Sequence, residues 1–260
     1  MRTLGGSRFF EALLREYPYA PSIIMCRVPE LELIARIELV PPVLDHCCGD
    51  GLIASLAFPG VQIDAGIDIN RRQLARAGAR GSHKEVRWGD AGVRLPFENA
   101  SFATVFNNSG IEHIENLGKA LAEINRVLMP GGGLYMSALN SRYFERWPLS
   151  SSAAARYRAF QPFHHALSES GWSDALVKAG FARPTFSDYL GEQASKSLAL
   201  LDYAYSSQYF RKAIPLRLAF ERVIPKTWLR VHWRGRLGGW AWDAAPGTGS
   251  GFLIATRKPS

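Results

Sequence analysis

Apolar residues along the chain follow two periods. Short apolar runs, typical of buried strands, alternate with segments whose apolar residues recur every three or four positions, as on one face of a helix. The strand-like runs are, in order, PPVLDH, VQIDAGIDIN, EVRWGD, SFATVFNNSG and GLYMSAL. Helical segments follow the first, second and fourth of them: LIASLAF, residues 71–79 and ENLGKALAEINRVLMP. This alternation predicts a parallel sheet covered by helices on both faces.

The two ends of the chain have other patterns. Helical spacing at residues 7–16 and 29–38 predicts two N-terminal helices, with Pro29 in a first helical turn. Residues 130–133 (PGGG) are expected to end the helix that precedes them. Beyond residue 140 the alternation weakens, although SGWSDALVKAGF predicts a helix and both ARPTFSDYL and GSGFLIATRKP predict strands.

These patterns divide the chain into four parts. We expect N-terminal helices over 1–40, an α/β core over 41–190, a cap insertion over 191–245 and a closing strand of the core over 246–260. Residues 191–260 hold 11 of the 31 basic residues and only 4 of the 23 acidic ones, so the excess positive charge lies there. Such a block indicates an anionic partner, which could be a substrate phosphate or carboxylate, a lipid surface or nucleic acid. A solvated face is the alternative.

Composition narrows the class of protein. Apolar residues make up 47% and charged residues 21% of the 260 residues, as in globular proteins. No apolar run approaches the roughly 18 residues of a membrane span, and the N-terminus lacks the apolar core of a secretory signal. Three cysteines are too few for a disulfide framework, and neither they nor the six scattered histidines form a metal-binding pattern. A reduced, cytoplasmic protein without a metal is expected.

A glycine turn follows the first predicted strand. It reads Asp45-His46-Cys47-Cys48-Gly49-Asp50-Gly51, and Asp68 ends the second strand 17 residues beyond Gly51. Such a turn lets a ligand reach the backbone, and the following helix N-terminus offers N–H groups to an anionic group. A carboxylate at the end of the second strand can bind a ribose diol. On this segment alone, a nicotinamide enzyme and an enzyme with an adenosyl ligand both remain open.

Five further motifs follow in order. They are Trp88-Gly89-Asp90-Ala91, Leu95-Pro96-Phe97, Ser101-Phe102, Ile111-Glu112-His113-Ile114 and Arg126-Val127-Leu128-Met129-Pro130-Gly131-Gly132. With these motifs the chain resembles the class I S-adenosylmethionine-dependent methyltransferases, the type 11 small-molecule group in particular. The resemblance covers residues 40–140 and, more loosely, 164–190. It implies an α/β fold, a doubly wound Rossmann-like sheet of seven strands with the last strand antiparallel, and S-adenosyl-L-methionine as the cofactor.

The resemblance also implies where the methionine end of the cofactor binds. It assigns Asp45, Gly49 and Gly51 to the lining of that end, and Asn107 to a position beneath it. Cys47 belongs to the same turn but stands where the family usually has glycine, so its side chain can narrow the approach of the cofactor carboxylate. For Asn107 a turn-forming role is the alternative.

The adenosine end is assigned in the same way. The resemblance implies that Asp68 binds the ribose hydroxyls and that Ile69 lies beside the adenine. It implies that Asp90 accepts a hydrogen bond from the adenine amino group and that the backbone N–H of Ala91 meets a ring nitrogen. Turn capping is the alternative for Asp90. His113 is the candidate general base, because histidine titrates near neutral pH, and packing at a helix start is its alternative role.

These residues predict methyl transfer to a small-molecule acceptor: a natural product, a sugar or a lipid-linked compound. The aromatic residues predicted to form an acceptor wall in the cap are Tyr203, Tyr205, Tyr209, Phe210, Phe220 and Trp228; burial of the cap is their alternative use. A nucleic-acid methyltransferase would also account for the basic C-terminal part. A catalytically silent accessory subunit is a further alternative, because Cys47 and Ala103 depart from the family pattern. An oxidoreductase is disfavoured, since no Tyr-x-x-x-Lys pair occurs in the chain.

Overall fold

The computed structural model describes residues 1–160, 163–205 and 223–260. They form two compact units, each assembled from separate stretches of the chain. The sheet unit comprises residues 33–140, 164–187 and 252–260. The helical unit comprises residues 1–32, 141–163 and 188–251. This division is by compactness, and it does not test the predicted boundaries at residues 40, 190 and 245, which stay a prediction.

The strands form a seven-stranded sheet in the order β3-β2-β1-β4-β5-β7-β6. Their bounds are β1 (Val43–His46), β2 (Ile63–Asp68), β3 (His83–Trp88), β4 (Phe102–Asn108), β5 (Leu128–Leu139), β6 (Thr185–Tyr189) and β7 (Gly251–Arg257). Strands β1 to β5 pair in parallel. Strands β6 and β7 are antiparallel. Ala182, before β6, donates to the Arg257 carbonyl at the end of β7, whereas Leu190, after β6, accepts from Ser250 N before β7. The predicted fold class is confirmed.

Helices cover the parallel strands because each has an apolar face. The helices of the sheet unit are α3 (Leu52–Ala57), α4 (Arg71–Arg80), α5 (Leu117–Val127) and α8 (Glu169–Lys178). Helix α5 buries positions 117, 120, 121, 124 and 127, the three-and-four spacing read from the sequence. Trp172 and Leu176 of α8 join the same core, as do Phe252 and Ile254 of β7. This core holds the carboxyl ends of the parallel strands in fixed positions.

The helical unit contains α1 (Phe10–Glu16), α2 (Pro21–Ile34), α6 (Ser141–Glu145), α7 (Ser151–Phe160), α9 (Glu192–Tyr205) and α10 (Lys226–Leu237). Distant segments meet in it. Thr3 bridges to Ala241, and the indole N–H of Trp233 donates to the Pro18 carbonyl at 3.0 Å. Of the predicted acceptor wall, Tyr209, Phe210 and Phe220 lie outside the described residues, as does the side chain of Tyr205. Trp228 is 55% exposed.

Two local predictions were wrong. The second helix begins at Pro21 and ends at Ile34, so Pro29 lies inside it and not in a first turn. Burial of Ile24, Met25 and Val28 stabilises this earlier helix despite the proline. Helix α5 ends at Val127, and residues 128–133 begin β5. There Gly131 has a φ of +76° and the register with β4 shifts, which is a bulge that glycine allows.

Candidate functional site

A cavity of about 600 Å³ lies in the sheet unit, where strands β1 to β4 end. Ends of parallel strands meet at one edge of a sheet, which is where doubly wound folds bind ligands. The lining residues are Cys47, Asp68, Ile69, Asp90, Ala91, Gly92, Val93, Gly110, His113, Ile114, Glu115, Asn116, Lys119 and His164. Asp68 is the last residue of β2, and the others, apart from His164, belong to the loops and helices that follow the strand ends.

The cavity brings together about half of the predicted cofactor residues. Those lining it are Cys47, Asp68, Ile69, Asp90 and Ala91, together with the candidate base His113. The predicted residues outside this lining are Asp45, Gly49, Gly51 and Asn107. The ribose and adenine assignments therefore share one cavity, whereas most of the methionine-end assignments lie beside it and remain predictions.

Asp68 connects the glycine turn to the end of β2. Its Oδ2 accepts from the backbone N–H of Gly49 at 2.9 Å, and its Oδ1 accepts from the N–H of Asn70 at 2.7 Å. Each carboxylate oxygen has a second lone pair, so both can accept another donor from a ligand in the cavity. Gly49 has a φ of +54°, and a Cβ added there would meet nothing within 4 Å, so its backbone is open to a ligand.

Cys47 has the backbone conformation that the family glycine would favour. Its φ of +62° lies in the left-handed region, which costs a residue with a Cβ free energy that glycine does not lose. Burial raises the pKa of the Cys47 thiol far above its usual range, and the nearby Asp68 and Asp45 carboxylates raise it further. The thiol is therefore protonated at neutral pH and is a poor nucleophile.

Asp45 and Asn107 contact protein groups. The buried carboxylate of Asp45 lies 2.9 Å from Nε2 of His83. Burial raises the pKa of Asp45, and the hydrogen bond from His83 opposes that rise. The side-chain oxygen of Asn107 accepts from the N–H groups of Gly110 and Ile111 at 3.1 and 2.9 Å. Asn107 thus forms a turn at the start of the short 3-10 helix Ile111–His113, which was its alternative role.

The part of the cavity that the resemblance assigns to adenosine includes an exposed side chain. Ile69 is 60% exposed, and its carbonyl accepts from the indole N–H of Trp88 at 2.9 Å. One oxygen of Asp90 accepts from the N–H of Gly92 at 2.8 Å, a turn-capping bond that leaves lone pairs on the carboxylate. In the sequence, Trp88 is recognisable only as part of the motif that ends at Ala91. Its role in fixing Ile69 was missed, because a side-chain contact across 19 residues has no local sequence signal.

Two histidines from separate segments line the cavity. His113 is the last residue of the 3-10 helix, and His164 follows α7. The N–H groups of His164 and His165 donate to the Glu112 carbonyl at 2.9 and 3.2 Å, which fixes this segment on the 3-10 helix. Lys119 also lines the cavity and was not predicted from the sequence. Asn116 before it is a typical helix N-cap and accepts from the N–H of Lys119 at 3.0 Å.

Comparisons with known proteins agree with the motifs. A family model for a methyltransferase domain matches residues 44–136. A probable S-adenosylmethionine-dependent methyltransferase of Mycolicibacterium smegmatis is 30% identical over 161 residues, 62% of this chain and 58% of the relative. A demethylmenaquinone methyltransferase of Chlorobaculum tepidum is 36% identical over 101 residues, 38% of this chain and 41% of the relative. The chain spans about half the length of the curated relatives that it matches.

Solved structures show the same fold. A SAM-dependent methyltransferase of Thermotoga maritima superposes with a TM-score of 0.62 at 18% identity, covering 96% of this chain and 98% of that chain. Residues 44–136 therefore match the methyltransferase domain family, and the chain has the fold of a solved S-adenosylmethionine-dependent methyltransferase. Within the described ranges, no helix is long and apolar enough to cross a membrane. The same residues include no group of three or more His, Cys, Asp or Glu side chains placed to hold a metal ion.

The contact between Cys47 and Gly110 yields a test of the turn. A Cβ added at Gly110 would lie 2.6 Å from the Cys47 Cβ, so Gly110→Ala should lower the free energy of unfolding by about 1–3 kcal/mol. Cys47→Gly removes the Cβ and Sγ that cause this clash. In the double variant, the alanine should therefore cost measurably less than in the parent. Urea denaturation of the four proteins measures the coupling, and strictly additive losses would show that the two residues do not touch.

Proposed function

We propose that this chain transfers the methyl group of S-adenosylmethionine to a small-molecule acceptor. The observation that supports the proposal is the cavity at the carboxyl edge of the sheet, where Asp68, Ile69, Asp90 and Ala91 meet. Those four residues come from two strand ends that are adjacent in the sheet but 20 or so positions apart in the sequence.

The lining fits an adenosyl cofactor by its chemistry. Asp68 offers lone pairs to two ribose hydroxyls while it holds the glycine turn, and the exposed side chain of Ile69 offers an apolar face to the adenine. Asp90 would accept from the adenine amino group. When bound, the cofactor supplies an activated methyl group, so the protein contributes mainly position and, where the acceptor needs it, removal of a proton.

The name of one relative supports the proposed acceptor class. The matched Chlorobaculum enzyme is named for a quinone acceptor, which supports a small, largely apolar acceptor here. A natural product or a lipid-linked sugar has the same combination of an apolar body and a polar reacting group. We propose His113 as the base that takes the acceptor proton, because it lines the cavity from the 3-10 helix.

Removal of the Asp68 carboxylate should weaken cofactor binding. Asp68→Ala is expected to reduce S-adenosylmethionine affinity by about 2–4 kcal/mol, since two charge-assisted hydrogen bonds to the ribose are lost. Isothermal titration calorimetry on the folded variant measures the change. The matched control is Asp64→Asn, which alters a carboxylate of the same strand that binds Val43 N and Lys84 instead of lining the cavity. Unchanged affinity in Asp68→Ala would reject the assignment.

The two cavity histidines should differ in their effect on turnover. His113→Ala is expected to lower kcat by roughly a hundredfold while cofactor affinity stays the same, as for loss of a general base. His164→Ala serves as the comparison, because it also lines the cavity. Formation of S-adenosylhomocysteine with demethylmenaquinone as the first acceptor gives the rate. If His113→Ala loses stability but the folded fraction keeps its kcat, His113 only packs the helix start.

We also propose that helix α10 contacts an anionic lipid surface. Trp228 and Val231 are 55% and 65% exposed on it, and the same helix carries the exposed cations Lys226 and Arg236. Exposed tryptophan and basic side chains on one helix are typical of interfacial binding. A third cation, Arg234, has its guanidinium engaged by both carboxylate oxygens of Glu11 at 2.6 Å, so Lys226 and Arg236 are the better candidates for lipid headgroups.

This surface predicts charge-dependent vesicle binding. Lys226→Gln combined with Arg236→Gln should weaken binding to phosphatidylglycerol-containing vesicles by roughly tenfold or more, since each basic residue contributes about 1 kcal/mol. Cosedimentation measures it, with pure phosphatidylcholine vesicles as the reference. Lys178→Gln combined with Arg183→Gln removes the same charge from exposed positions of the sheet unit. Equal losses in both double variants would mean that net charge, and not α10, attracts the lipid.

A further inference from the structure

We infer that His83 is a positioning residue for the cofactor. Through hydrogen bonds with Asp45 on one side and Ser82 on the other, it holds both ends of the glycine turn in place. The inference rests on the proposed cofactor site and adds a residue to it that does not line the cavity. His83, Ser82, Asp45 and the turn all belong to the sheet unit.

The first contact spans a whole strand. His83 begins β3, Asp45 lies in β1, and β2 runs between these two strands. Nε2 of His83 nevertheless lies 2.9 Å from Oδ2 of Asp45. Gly66 of β2, which is opposite Asp45 in the register, makes the crossing possible. A Cβ at Gly66 would come within 2.9 Å of the His83 ring, so only glycine leaves room for the imidazole.

The second contact reaches the far end of the turn. Nδ1 of His83 lies 3.0 Å from the hydroxyl oxygen of Ser82, and this hydroxyl donates to the Gly51 carbonyl at 3.3 Å. Gly51 sits directly on this pair, because a Cβ added to it would be 2.8 Å from the Ser82 oxygen. Asp45 begins the turn and Gly51 ends it. The two ring nitrogens thus connect both ends of the loop whose Gly49 N–H meets Asp68.

The surroundings make these contacts strong. Asp45, His83 and Ser82 are 3%, 6% and 8% exposed, so water does not compete for their hydrogen bonds. A buried carboxylate that loses its partner moves or takes up a proton, since desolvation disfavours its charge. An apolar side chain of similar size at position 83 would fill the space next to Gly66 but would leave Asp45 without the hydrogen bond to position 83. The turn would then lose a support that is not part of the cavity lining.

Binding of S-adenosylhomocysteine, followed by calorimetry alongside thermal unfolding, tests the inference. His83→Leu should weaken binding by about tenfold or more, because a loosened turn must be reordered by the ligand. His83→Gln should restore at least half of the lost binding free energy, since its side-chain N–H can donate to Asp45 as the imidazole does. Ile124→Ala is the control: it removes buried core volume from α5, away from the turn, and should lower Tm while keeping the parent affinity.

The outcomes separate this inference from the proposed function. If the parent protein does not bind S-adenosylhomocysteine, the proposed function is wrong. If the parent binds and folded His83→Leu binds equally well, His83 does not position the turn. The inference is also overturned if His83→Gln does not restore the affinity that His83→Leu loses. It is overturned as well if Ile124→Ala lowers affinity to the same extent at an equal loss of Tm. Should His83→Leu fail to fold, Ser82→Ala decides: it leaves the contact of His83 with Asp45, removes the hydroxyl that joins His83 to Gly51, and must still reduce affinity severalfold.

Discussion

The site depends on the hydrogen bond between the Asp68 carboxylate and the Gly49 N–H. At 2.9 Å this bond joins the turn after β1 to the end of β2, and the other oxygen of Asp68 holds Asn70. Asn70 in turn caps α4 by accepting from Arg72 N and Gln73 N. One acidic side chain thus fixes the turn, the strand end and the next helix start. A ligand that binds Asp68 finds these groups already ordered, so its binding free energy is not spent on ordering them.

The opposite wall of the cavity is organised by a buried amide. Asn107, 1% exposed, donates to the His46 carbonyl at 2.8 Å and accepts from Gly110 and Ile111. It therefore connects the end of β4 both to β1 and to the 3-10 helix that carries His113. The two walls meet where Gly110 approaches Cys47. Because the Cβ of Cys47 fills the space next to Gly110, a side chain larger than hydrogen at position 110 would clash with it. Both residues line the cavity, so the cysteine at a position where the family usually has glycine affects the shape of the cavity.

Much of the fold could be predicted from local patterns. The order of strands and helices from residue 43 to residue 139, the position of the glycine turn and the strand-end placement of Asp68 all follow from periodicity and glycine spacing, because each is a property of a short segment. The motifs around Asp90 and Ile111 identified the methyltransferase domain. The same local reasoning misplaced the second helix, since the burial of Ile24, Met25 and Val28 that outweighs Pro29 is a tertiary effect.

The partners of the buried polar groups were decided by the tertiary structure. From the sequence, Asp45 is an acidic residue before a turn and His83 is an ordinary residue at a strand start. Although β2 separates their strands, the contact is possible because β2 carries glycine where the imidazole crosses. The helical unit likewise joins residues 1–32 to segments more than 100 positions away. The sequence alone determined the segments and the sheet, since short-range spacing encodes them, and the resemblance of its motifs to a known family implied the cofactor class. Long-range contacts decided which polar groups satisfy one another and which remain to face a ligand, because hydrogen bonding and burial depend on neighbours that folding supplies.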